Sequence, residues 1–269
     1  TILGTYQSTM THFPYLRKIW QRNTEEERLL GVSLTGILDN KILGDTIVQT
    51  KTLLEKLKVE AAETNKSIAG ELGIPVSTAI TCIKPSGTVS QLVDSASGIH
   101  PRHSRYYVRR IRSDKKDPLS TFMMEQGIPF EDCVMRPEST TIFSFPKKAP
   151  HNALLREDLT AVQHLDLWMM YQKHWCEHKP SVTISVNEDE WVEVGAWVWK
   201  NFDDVSGVSF LPYDGGTYKQ APYEECSEEE YKELLHKMPQ EIDWDSLIEV
   251  DDNVEGAQQL ACTAGACEI

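Results

Sequence analysis

Short apolar, β-branched runs alternate along this chain with longer stretches whose apolar residues recur every three or four positions. That alternation confines the fold to the α/β class. The strand-like runs are "STAITCI", "RYYVRRIRS", "TTIFSFP", "SVTISVN" and "GVSFLPY". The helix-like stretches cover residues 16–30, residues 43–72 up to a break at Pro75, a segment from near Asp158 through "HWCEH", and "DEWVEVGAWVWKNFDDV". "GVSLTGILDN" reads as a short buried strand or turn ended by Gly36 and Asp39-Asn40. Strands separated by helices imply a mainly parallel arrangement. No internal repeat is present, and beyond Trp244 the text turns polar and acidic, as a flexible tail would.

With 269 residues the chain can bury one large α/β core or two small ones. No apolar run approaches the roughly 18 residues of a membrane span, and the N-terminus lacks a signal-peptide pattern. Residue 1 is Thr and helix-like text begins at once, so a processed product or a fragment is expected. From Tyr223 onward there are 14 acidic residues against 2 lysines, which places most of the net charge of −14 in the C-terminal segment. An acidic arm on a nearly neutral body argues against nucleic-acid binding and suits a solvated surface. The cysteines are Cys82, Cys133, Cys176, Cys226, Cys262 and Cys267. Four of them follow no pairing pattern, which fits a reducing cytoplasm better than a disulfide framework.

Four stretches carry candidate chemistry. In "IKPSGTVSQL" a β-rich run feeds a Pro-Ser-Gly-Thr turn that opens a helix. Its backbone N–H groups and the hydroxyls of Ser86, Thr88 and Ser90 suit a phosphate, and Gly87 permits close approach; an ordinary capped turn suits the same residues. Residues 102–116 hold 7 Lys/Arg and one Asp. Alternation there predicts a strand with arginines on one face and Tyr107 or Ile111 near the other. Such a strand adds positive potential beside a polyphosphate or is an edge strand guarded by charge. In "HWCEH", His174 and His178 are spaced to share a helix face, as metal ligands must. The Glu is misplaced for an H-E-x-x-H motif and no further ligand pair is evident, so a plain helix surface and no metal are expected.

The fourth stretch is the end, "QQLACTAGACEI", where Cys262 and Cys267 flank a small-residue turn at Gly265. Zinc would need about two more ligands than this stretch offers. An exposed dithiol on a tether suits thiol–disulfide exchange, and idle cysteines in an unstructured end are the alternative. The tether from Trp244 to Cys262 has about 18 residues and, as a coil, a reach of roughly 23 Å.

Together these stretches resemble the adenosylcobalamin-dependent (class II) ribonucleotide reductases, the ribonucleoside-triphosphate reductases in particular. The resemblance rests on "STMTHFPYLRKIW", "EEERLLGVSLTGILDN", "IKPSGTVSQLVDSASGIHPRHSRYYVRRIR", "GVSFLPYDGGTYKQAPYEE" and "ACTAGACEI", which run in order from the first residues to the last. It implies the C-terminal part of a ten-stranded α/β barrel over residues 1–245 and an acidic, flexible tail over 246–269. It implies that Pro85, Ser86, Gly87, Thr88 and Val89 bind the substrate's phosphates. Diphosphate reductases usually have Glu where this chain has Gly87, and losing that carboxylate suits a triphosphate. By the same resemblance Cys262 and Cys267 are a redox shuttle that re-reduces an active-site disulfide and is itself reduced by thioredoxin. The cofactor implied is adenosylcobalamin, with contacts in the neighbourhood of His100, Arg102, Gly215, Gly216 and Tyr218.

Three family features are missing. The radical cysteine of the Asn-Pro-Cys motif has no counterpart here, and neither do the substrate-reducing cysteine pair or the nucleotide-effector region. The chain is therefore expected to be catalytically incomplete, with an N-terminal catalytic half in the same or another chain. One alternative is a fragment of a class I ribonucleoside-diphosphate reductase large subunit; its adjacent radical-relay tyrosines are absent from "GVSFLPYDGG", where Tyr213 stands alone. A noncatalytic nucleotide-binding partner subunit with a redox tail is the other.

Overall fold

The computed structural model describes residues 1–213 and 219–248. In chain order the elements begin with α1 (Ile2–Gln7), α2 (Lys18–Glu27), β1 (Val32–Ser33), α3 (Val48–Leu72), β2 (Thr81–Cys82) and α4 (Val89–Leu92). Then come β3 (Tyr106–Asp114), α5 (Pro118–Glu125), β4 (Phe130–Asp132), β5 (Thr140–Lys148) and α6 (Ala161–His174). The order closes with β6 (Val182–Val186), α7 (Trp191–Lys200), β7 (Val208–Pro212), β8 (Tyr223–Glu225) and α8 (Glu228–Lys237). The chain divides into two compact units: Thr1–Pro101 with Asn152–Tyr213, and Arg102–His151 with residues 219–248.

In the first unit β1 pairs with β2 and β6 with β7, both parallel, each across a helical crossover. Ile37, Leu54, Ile99, Leu165, Trp168 and Ile184 are fully buried in one apolar cluster at its centre. Sequence periodicity extends α3 back to residue 43, yet the helix starts at Val48. Asn40 explains the delay: its side-chain oxygen accepts from the N–H groups of Ile42 (2.9 Å) and Leu43 (3.2 Å), holding those residues in a turn. The helix stops before Pro75, at Gly73, which takes the left-handed conformation (φ 65°) that caps helix ends.

The segment after α6 departs from the expected helix face. α6 begins at a Thr160–Gln163 capping box rather than near Asp158, and it ends at His174, so His174 and His178 do not share a helix. Residues 175–178 instead clamp β2. The Glu177 carboxylate accepts from Ile80 N (2.7 Å) and Thr81 N (3.2 Å), while Trp175 Nε1 donates to Cys82 O (2.8 Å). His178 Nε2 lies 2.8 Å from Leu30 O, and His174 Nδ1 lies 3.0 Å from Glu55 Oε1. A two-residue strand has few ladder bonds of its own, and this clamp satisfies the groups that the ladder leaves. Among the described residues no cluster fit for a metal ion is found.

The second unit is an antiparallel sheet of order β4-β5-β3-β8, with no closed sheet among the described residues. The expectation of a mainly parallel arrangement therefore holds only for the short pairs of the first unit. β3 lies between β5 and β8, so it is not a charge-guarded edge strand. Its arginines are also split between faces, because Arg109 shares the Tyr107–Ile111 side while Arg110 and Arg112 point the other way. They are half-buried and occupied: Arg110 pairs with Glu224 and with Glu131 (3.7 Å), Arg112 donates to Gln220 O (2.9 Å), and Arg109 lies over the Tyr223 ring (5.6 Å). The Arg110 charge is offset by two carboxylates, while Arg109 and Arg112 are oriented by a ring and a backbone carbonyl.

Two buried histidines lie among the polar side chains of the first unit's core. His164 on α6 is buried, and its Nε2–H donates to Ile99 O (2.9 Å). His100 donates from Nδ1 to Ser97 O (3.0 Å) and accepts at Nε2 from Thr183 N (3.0 Å). The rings meet edge to face, 6.2 Å apart. Those partners define one neutral tautomer for each ring. Burial lowers both pKa values, that of His164 to about 4 with a smaller contribution from His100. In the unfolded chain both titrate near 6.5 and bind more protons than the folded chain does below that pH. The His164 contribution is thus complete above about pH 6.5 and is lost as the pH falls toward 4, and that of His100 is lost in the same direction. For His164 it is on the order of 3 kcal/mol. Urea unfolding as a function of pH is expected to show stability declining through this window, and His164→Gln should flatten the decline by about one proton. An unchanged slope in the variant would contradict the assignment.

Candidate functional site

The Pro-Ser-Gly-Thr turn follows β2 and opens α4, a helix of only four residues. Ser86 Oγ accepts from Ser90 N (3.0 Å), and the buried Ser90 hydroxyl donates back to Ser86 O. Both serines are thus engaged in closing the turn. Thr88 is exposed and, as N-cap residue, makes no side-chain cap bond; Val89 is exposed beside it. A Cβ added to Gly87 would meet nothing within 4 Å. Thr88 and Val89 are thus exposed on the outside of the turn and Gly87 is half-buried with room for a side chain, while Ser86 and Ser90 set its curvature. Backbone N–H groups of such a turn suit a multiply charged anion.

Behind the turn, residues 94–100 return without regular structure and are fixed by side chains from the "TGILD" segment. The Asp39 carboxylate accepts from Ala96 N (2.7 Å), and Thr35 Oγ1 donates to Ala96 O (2.9 Å) and accepts from Gly98 N (3.0 Å). Gly36 N donates to Ala96 O (2.8 Å), and Ser95 N reaches Ser90 O in α4 (2.8 Å). Gly98 has φ 54°, and a Cβ there would lie 2.6 Å from Lys84 O. Only glycine meets both conditions, so the return segment packs directly on the strand end that launches the turn. The sequence marks Asp39 only as the end of a turn, and no motif marks Thr35, Gly98 or His164. The paired glycines of "LTG" and "ASG" were the available signal, since both adopt positive φ here.

In the neighbourhood expected to face the cofactor, His100 belongs to the first unit and Arg102 to the second. His100 has both ring nitrogens hydrogen-bonded and Arg102 is 3% exposed, with Nη1 3.5 Å from the Tyr107 hydroxyl. The resemblance points to this neighbourhood rather than to these two side chains, both of which are engaged within the described structure. Gly215, Gly216, Tyr218, Cys262 and Cys267 lie outside the described residues, as does most of the expected tail. Cys82, Cys176 and Cys226 are poor thiolates. Burial raises the pKa of Cys82, and it raises that of Cys176, with help from Cys82, to about 12. Cys226 is raised by burial and then by Glu230, Glu224 and Glu225. Thiol exchange at neutral pH needs the opposite environment.

Comparison with known proteins bears on the whole chain. No family model matches it. It is 30% identical over 267 residues to the adenosylcobalamin-dependent ribonucleoside-triphosphate reductase of Euglena gracilis, which covers 97% of this chain and 36% of that protein. The enzyme of the same name from Lactobacillus gasseri is 26% identical, covering 100% and 40%, and a probable one from Dictyostelium discoideum is 29% identical, covering 96% and 34%. The match falls on their C-terminal part, and the chain spans less than half of their length. A crystal structure of a B12-dependent (class II) ribonucleotide reductase superposes with a TM-score of 0.76 at 23% identity, over 89% of this chain and 37% of that one. At that identity the likeness establishes a shared fold.

Gly98→Ala is expected to destabilise by about 2–4 kcal/mol, because strain at positive φ adds to a blocked Cβ. Gly73→Ala, at φ 65° but with open space around it, should lose only about 1 kcal/mol. Equal losses in urea unfolding would show that the packing of Gly98 on Lys84 contributes nothing.

Proposed function

We propose that this chain supplies the C-terminal part of an adenosylcobalamin-dependent ribonucleoside-triphosphate reductase, in which residues 85–89 hold the substrate's phosphates and Cys262 and Cys267 return reducing equivalents. The observation that carries this reading is the likeness to such enzymes along nearly the whole chain, together with an outward-facing turn at the position the reading requires. On this reading the two parallel strand pairs of the first unit belong to a ten-stranded barrel whose other strands come from sequence beyond this chain.

The chain's own residues bind and orient. Backbone groups from Gly87 to Val89 receive the phosphates, with Gly87 leaving room for a terminal phosphate that a carboxylate there would repel. The cofactor of the named relatives supplies radical initiation when bound. In the shuttle, a thiolate of the Cys262–Cys267 pair attacks the oxidised active-site disulfide and the second thiol resolves the mixed disulfide. The substrate-reducing pair is left reduced and the tail oxidised, and thioredoxin or a similar dithiol then reduces the tail. The raised pKa values of Cys82, Cys176 and Cys226 support assigning this exchange to the tail.

In the complete enzyme, Cys262→Ser with Cys267→Ser is expected to spare a single turnover while abolishing repeated turnover driven by thioredoxin. A small diffusible dithiol should restore cycling. Normal thioredoxin-driven cycling in the double variant would overturn the shuttle.

A further inference from the structure

The imidazoles of His100 and His164 have no part in the function proposed above, and their placement suggests one. Residues 94–100 touch both limbs of the phosphate turn: Ser95 N bonds Ser90 O in α4, and Gly98 packs on Lys84 O, two residues past the end of β2. No strand ladder or helix fixes this segment, so beside the backbone bonds from Gly36 and Ile37 its position depends on the side chains that bind it. On the solvent side these are Thr35 and Asp39. On the core side they are the two histidines.

His164 occupies a fully buried position in an otherwise apolar helix face, between neighbours such as Leu165 and Trp168. A leucine would fill that space, and the imidazole adds one thing a leucine lacks, an N–H for Ile99 O. His100 carries the connection onward by bonding Ser97 O with one nitrogen and Thr183 N at β6 with the other. A continuous path thus runs from α6 through His164, Ile99 and His100 to β6, with the return segment held at its middle. We propose that His164 and His100 are positioning residues for the phosphate turn, fixing residues 94–100 so that Gly87, Thr88 and Val89 are presented in a binding-competent geometry. This inference rests on the reading of residues 85–89 as a phosphate site.

The test uses the full chain, with inorganic tripolyphosphate as probe, titrated by calorimetry at neutral pH and followed by amide hydrogen exchange over residues 86–100. His164→Leu removes the donor, and His164→Gln restores an N–H. Leu165→Val is the control for a general loss of core packing. His164→Leu is expected to weaken tripolyphosphate binding roughly tenfold and to speed exchange across the segment. His164→Gln should recover most of both, and Leu165→Val should change neither. If His164→Leu does not fold, His100→Ala against His100→Gln carries the same comparison, since glutamine offers both a donor and an acceptor. A folded His164→Leu that binds and exchanges like the wild type would overturn the inference and leave the phosphate reading intact. Failure of the wild type to bind tripolyphosphate would overturn the phosphate reading instead, and the exchange arm would still decide whether the histidines order the segment.

Discussion

The contact of Gly98 with the Lys84 carbonyl is the constraint on which the candidate site depends. It brings a segment without regular structure against the end of a two-residue strand, at a distance no other residue type allows. Once that approach is made, the remaining bonds have fixed addresses. Asp39 and Thr35 take up the backbone of Ala96 and Gly98, Ser95 reaches α4, and His164 meets Ile99 from the core. An open turn on the surface is thereby held by polar groups that are themselves buried or half-buried, where each unpaired group would be costly. Rigidity behind and exposure in front is the arrangement a phosphate-binding turn needs, because binding then spends little on ordering the site.

The second unit manages charge differently. Its most basic strand lies inside a sheet, and its arginines are matched by Glu131, Glu224, backbone oxygens and the ring of Tyr223. The acidic surplus of the C-terminal segment therefore begins, at β8, as the counter-charge to β3. That pairing accounts for part of an uneven charge distribution that looks like a solvated arm when only composition is considered.

Much of the fold was legible because burial imposes a period. β3, β5, β6 and β7 and helices α2, α3, α6 and α7 appear where alternation or three-and-four spacing places them. The elements missed are those with little burial behind them. α8 has no buried residue and β4 is exposed throughout, so neither has an apolar period to read. Local chemistry did mark two of the missed helices: Asp117-Pro118 at the start of α5, and the Ser227–Glu230 capping box at the start of α8. The end of α6 was misplaced because the residues that stop it act through β2, about a hundred positions away. The turn at 85–89 was legible as a motif. Its support was not, since the bond from His164 to Ile99 spans 65 residues and nothing adjacent to His164 announces it. Gly215, Gly216, Tyr218 and the tail cysteines fall outside the described residues, so their roles rest on the sequence.

The central claim is that the turn around Gly87 receives a nucleoside triphosphate. Because nothing lies within 4 Å of a Cβ at Gly87, a side chain can be introduced there without disturbing the support behind it. The direct measurement is the affinity of the full chain for a nucleoside triphosphate and the matching diphosphate, in the wild type, in Gly87→Ala and in Gly87→Glu. A carboxylate beside the terminal phosphate should weaken the triphosphate by about 1–3 kcal/mol more than the diphosphate, while alanine leaves both nearly unchanged. Equal losses for the two nucleotides in Gly87→Glu, with the fold intact, would show that Gly87 does not face the terminal phosphate and would contradict this assignment of the turn.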